Sequence, residues 1–188
     1  MVINYAGEGC VKVQSGSVSI TVDPQPRFKG DVVLHTQNEG SEISFPNDEI
    51  VGAGEYEVKE VEVYGWQLVK ESTPKLRKTV YSVKAEDMNL VFLGQISEAL
   101  EPTFVEKFGS VDILFIPACG KPLIDEAVAA KLIKQIAPRL VVGIFVKKEA
   151  DAKKFLKEND QKGEILDKVV VKKKELAEGK TRFVILPG

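Results

Sequence analysis

The chain has 188 residues, 44% of them apolar and 29% charged, a composition that excludes disordered and fibrous classes and suits one packed core of ordinary domain size. Lys plus Arg number 26 against 28 for Asp plus Glu, a net charge of −2, so no general attraction to nucleic acid or anionic membranes is expected. One histidine and two cysteines are too few for a disulfide framework and leave zinc short of nitrogen and sulfur ligands.

Residues 2–6, 10–14 and 17–22 alternate or run apolar with β-branched side chains and break at turn residues, which predicts three consecutive antiparallel strands. The sequence VDPQP then ends the third, because two prolines so close together cannot donate to a ladder. Residues 31–36 read as a short buried strand, and a shorter one is expected at 43–45. From 56 to 69 the alternation through Tyr56, Val58, Val61 and Val63 slips near Glu60, which reads as a bulge. Residues 76–83 and 89–93 pair as a hairpin through the turn AEDMN.

The second half changes character. A short helix is predicted at 102–108, a strand at 111–117, a helix at 125–136, a strand at 140–146, a helix at 149–158, and a last hairpin from 168–172 and 181–186. Pro102 suits a first helical turn, Asp125 an N-cap, and Pro138 stops the longer helix. Val128, Leu132 and Ile136 recur at four-residue spacing, so that helix packs one face inward. The basic run at 169–174, without interleaved aromatics, reads as a solvated strand end that discourages edge pairing. No secretory leader or membrane-length apolar run is visible, so a single cytoplasmic domain spanning 1–188 is expected.

The segment 31–42, DVVLHTQNEGSE, resembles the DxVLxTH strand and THxHxDH metal loop of the metallo-β-lactamase superfamily. Thr36 matches; Gln37, Glu39 and Glu42 stand where histidines belong, and Ser41 where the aspartate belongs. Further landmarks follow in order and resemble the small lactonase-like branch most closely. YAGEGCVKV is similar to YxGHAxFxI with Glu8 at the histidine, VDP to IDP with Asp23 as a structural landmark, and GAGEYEV to GPGEYEV. VFLGQIS resembles HLGDL with Phe92 and Gln95 at the histidine and aspartate. VDILFIPACG resembles VDILxxPVGG, and PRLVVGIFVK resembles PxxVIPMHYK with Phe145 at the last ligand histidine. Between Trp66 and Glu71, where relatives carry another ligand, no histidine stands.

The resemblance implies an α+β fold, a four-layer αββα sandwich of two mixed sheets flanked by helices. Its cleft is expected at the strand ends bearing Gln37, Glu39, Gln95, Cys119 and Phe145, with Glu8, Ser41 and Glu42 on the same rim. The ligands are lost at every site while the surroundings persist, so zinc is not expected, and the oxygen-bearing set would suit at most weak Mg²⁺ or Ca²⁺ binding. The function this implies is a catalytically inactive relative that binds or assembles through its vestigial cleft, with a small molecule, a protein or a second copy as partner. The alternative is a hydrolase of a lactone, phosphoester or nucleotide-like substrate with a rebuilt oxygen-ligand site or no metal. His35 lies on the strand face opposite Leu34 and Thr36 and reads as a hydrogen-bonded packing residue. Cys10 and Cys119 read as structural thiols.

Overall fold

The computed structural model describes residues 1–27, 29–39, 49–176 and 179–188. The alternating first half forms β1 (Val2–Tyr5), β2 (Val11–Ser15), β3 (Val18–Val22), β4 (Val32–His35), β5 (Gln37–Glu39), β6 (Glu49–Val51), β7 (Gly54–Val58), β8 (Val61–Gln67), β9 (Leu76–Ala85) and β10 (Met88–Phe92). The second half supplies α1 (Pro102–Val105), β11 (Ile113–Pro117), α2 (Glu126–Ile136), β12 (Leu140–Val146), α3 (Glu149–Glu158), β13 (Glu164–Ile165), β14 (Lys168–Val170) and β15 (Arg182–Pro187).

Two mixed sheets result. The smaller has the order β14-β1-β2-β3-β4-β6, and the larger runs β13-β15-β12-β11-β10-β9-β8-β7 with β5 also paired to β9. Ile3, Val13, Ile20 and Leu34 from the smaller sheet meet Val63, Val83, Phe92 and Phe115 from the larger in one core between the sheets. Leu114, Ile116, Val141 and Ile185 point the other way, onto Ala129, Leu132 and Ile133 of α2 and Phe155 of α3. Both faces of β11 are therefore covered, which is why ILFIP is unbroken in apolarity rather than alternating. The fold is α+β, the sandwich that the sequence implies. Its described α-helices all follow Leu100.

Local signals set the helix ends. The Asp125 carboxylate accepts from Ala127 N at 3.0 Å, capping α2. Ala137 closes it in the left-handed region (φ 50, ψ 52) before Pro138. Two expectations need correction. The slip near Glu60 is a tight turn, with Lys59 and Glu60 both at positive φ (51 and 64) and Val58 paired with Val61. Lacking glycine or asparagine, that turn carries no punctuation in the sequence. The last two strands are not a hairpin: β14 pairs antiparallel with β1 and β15 lies parallel to β12, in different sheets. The run RFVILP is buried at its four central residues, and that demands a place inside the larger sheet. The strand expected at 43–45 lies outside the described residues. Among them, no helix is long and apolar enough to cross a membrane.

Candidate functional site

The chain passes from the smaller sheet (β4) to the larger (β5) at Thr36, and Asp23 clamps the crossing. Asp23 follows β3, and its carboxylate accepts from Thr36 N at 2.7 Å and from Thr36 Oγ1 at 2.5 Å. Thr36 O in turn accepts from Thr79 N of β9 at 2.8 Å. Burial pushes the Asp23 carboxyl above its ordinary value, against the opposing pull of the Thr36 hydroxyl and amide. His35 faces away and its Nε2 pairs with Glu49 Oε2 at 2.6 Å, the packing role read from the strand alternation.

Beside this clamp the core closes to a cavity of about 10 Å³, whose walls include Asp23, Thr36, Gly9, Gly94, Phe92 and Phe145. That volume holds at most a single water. Phe92 stacks on Phe115 with centroids 4.3 Å apart and planes 7° apart. Phe145 meets Tyr5 edge-on at 6.2 Å, and the Tyr5 hydroxyl accepts from the amides of Phe145 and Gly9, each at 3.2 Å. Phe145 has φ 65, which a bulky side chain rarely adopts, at a register irregularity between β12 and β15. Two glycines are needed for the closure. A Cβ on Gly9 would lie 3.1 Å from the Phe145 ring, and one on Gly94 would lie 2.7 Å from Thr36 Oγ1.

On the adjoining side sits a nearly buried ion pair. The Lys78 and Glu71 side chains are 15% and 6% exposed, and Lys78 Nζ lies 2.8 Å from Glu71 Oε2. Lys78 also donates to Gln95 O at 2.7 Å. The Glu71 carboxylate is completed by Ser97 N at 2.9 Å, Ser97 Oγ at 2.8 Å and Glu98 N at 3.1 Å. Burial alone pushes this carboxyl up, but the Lys78 ammonium, the Ser97 hydroxyl and the two amides together hold it below its ordinary value.

A depressed folded value means that Glu71 stabilises the fold fully above the ordinary glutamate range and loses that contribution as pH falls through the folded value. Between pH 5 and pH 3 the wild type is therefore expected to lose stability more steeply than Glu71→Gln, measured by urea unfolding at each pH. Asp23 pulls the opposite way but is common to both proteins and cancels. Parallel slopes would refute the assignment.

The residues singled out in the sequence do not all converge. Phe145 lines the cavity, while Gln37 and Gln95 are half-buried beside the ion pair, one residue beyond the cavity-lining Thr36 and Gly94. Glu39 is exposed on β5, and Glu8 is exposed in a pair with Lys147 at 3.3 Å. Cys119 is half-buried and its thiol donates to Gly120 O at 3.4 Å; burial pushes it up. Ser41 and Glu42 lie outside the described residues. No sequence signal marks Glu71 and Lys78 as partners, since residues seven apart on a short helical turn and a strand share no local pattern. The one available clue was Lys78 at a strand position with the parity of the buried Val80.

Among the described residues no group of three or more His, Cys, Asp or Glu side chains is arranged to hold a metal ion. The described positions matching ligand residues carry the Gln37 and Gln95 amides, the exposed Glu39 carboxylate and the Phe145 ring. This donor set does not fit zinc, which takes imidazole, thiolate or carboxylate in tetrahedral array.

The family model for the beta-lactamase superfamily domain matches residues 2–144. The chain belongs to the beta-lactamase superfamily. Its fold is shared with a protein from Thermotoga maritima assigned to the Zn-dependent hydrolases of the metallo-beta-lactamase superfamily, at 19% identity and a TM-score of 0.80, covering 99% of this chain and 98% of that one. A metallo hydrolase from Ignicoccus hospitalis matches at 16% identity and 0.67, covering 100% and 95%. The metallo-beta-lactamase fold protein YhfI from Bacillus subtilis matches at 10% and 0.61, covering 97% and 94%. No curated protein matches the sequence. This beta-lactamase superfamily chain thus shares the sandwich, and packs phenyl rings and an ion pair beside its Asp23–Thr36 crossing.

Proposed function

We propose that this superfamily member is catalytically inactive and serves a binding or assembly role. The observation that carries the reading is the filling of the centre: Phe92 and Phe145 wall a cavity of about 10 Å³, and the Lys78–Glu71 pair occupies the ground next to it. A metal-activated water needs an ion held by several good ligands with an open position for substrate, and small-molecule sites ordinarily offer some 300 Å³ or more. Among the described residues the centre supplies neither. A macromolecular partner or a second copy, engaging the outer rim where Glu39 and Glu8 are exposed, therefore suits the geometry better than a small molecule held inside.

Two measurements on the purified protein test this together. Elemental analysis is expected to find no stoichiometric zinc, iron or manganese. Lactonase and phosphodiesterase assays with added divalent ions are expected to stay at background. Turnover that disappears in Glu39→Ala would instead establish a hydrolase with a rebuilt oxygen-ligand site.

A further inference from the structure

Of three segments that stand at ligand positions by their resemblance to relatives, two bond to the Lys78 side chain and the third lies directly across the strand pair from it. Gln37 is its cross-strand partner between β5 and β9, so the two side chains leave the sheet on the same face. Gln95 contributes its carbonyl oxygen at 2.7 Å. Glu71, from the segment after Trp66, contributes its carboxylate at 2.8 Å. A nearly buried ammonium or carboxylate left alone is strongly disfavoured, so each requires the other. Neither is spare: Ser97 Oγ and the amides of Ser97 and Glu98 use the other lone pairs of Glu71.

We propose that Lys78 is the resident cation of this centre, a tethered ammonium that ties the Glu71 turn and the Gln95 loop to β9 and keeps a divalent ion out of their oxygen atoms. The inference deepens the reading of an inactive centre and rests on it. Cation and ligands belong to one chain, so the arrangement needs no metal and resists chelators. An ammonium at this place also carries no bound water to activate, which joins the architecture to the loss of hydrolytic chemistry.

Chemical rescue tests it on the full chain. Lys78→Ala is expected to lower Tm by about 10 °C, the scale for breaking a buried pair in a domain of this size. n-Propylammonium chloride should restore part of the loss, while 1-propanol and an equal concentration of NaCl should not. Wild-type Tm is expected to be unmoved by Mn²⁺, Zn²⁺ or EDTA. Equal rescue by propanol, a Lys78→Met variant as stable as the wild type, or wild type stabilised by micromolar divalent ion would each overturn the proposal. If Lys78→Ala does not fold, the pair Lys78→Met and Lys78→Met/Glu71→Gln decides. The double variant should be the more stable, having no unpaired buried charge, and one no more stable than the single would overturn the proposal. Metal-independent turnover alongside intact amine rescue would defeat the inactive reading and leave the resident cation standing.

Discussion

Replacing Phe92 by alanine is expected to destabilise the protein by about 4 kcal/mol, within the range for deleting a buried phenyl ring. The side chain is 2% exposed and stacked on Phe115, so truncation forfeits both its transfer from water and an aromatic contact. It also enlarges a cavity that now has room for one water. Its walls come from both sheets, through Val11 and Val22 on one side and Phe115 and Ile144 on the other, and sheets tied by ladders collapse poorly into a void. Phe92→Leu, which refills much of the volume, should lose about 1–2 kcal/mol. Urea unfolding should show a lower midpoint with an unchanged slope. A loss under 1 kcal/mol for Phe92→Ala would mean that the walls relax, and that Phe92 does not hold the centre closed.

Asp23→Ala is expected to cost about 2 kcal/mol at neutral pH, because it strands two donors of Thr36, a residue 2% exposed, at the crossing between sheets. The cost should grow as pH falls. Burial raises the folded carboxyl value, so the wild type draws most stability from Asp23 below the ordinary aspartate range and loses part of it as pH rises through the folded value. Asp23→Asn keeps an acceptor for the Thr36 amide and should fall between the two. Paired denaturation curves at pH 7 and pH 5 provide the check. An Asp23→Ala penalty that shrinks on acidification would contradict the charge argument, and one below about 0.5 kcal/mol would remove the clamp from the account.

Much of the fold was legible because local patterns and tertiary demands agree. Leu140–Val146 and Glu149–Glu158 fall where apolar run and helical period place them, and Asp125 caps α2 as its position implies. The Lys59–Glu60 turn was missed because its left-handed residues are a lysine and a glutamate, types that carry no turn signal. The false terminal hairpin arose because proximity in sequence favours pairing. Here β1 and β12, more than thirty residues away in sequence, won the two strands.

The candidate site divides in the same way. Motif order pointed to Asp23, Thr36, Phe92, Gln95 and Phe145 as residues of one centre, since a linear string preserves which residue stands at which point of a scaffold. A sequence cannot record what fills a space. Side chains from β1, β2, β9, β10 and β12 and the turns between them share the centre, and only their packing shows phenyl rings closing one part and the Lys78–Glu71 pair bridging another. The sequence by itself determined most of the strands and helices, through periodicities that act over a few residues, and its resemblance to a known family implied how they assemble. The tertiary structure alone decided which groups share the centre, because burial and charge pairing join residues that no local pattern links.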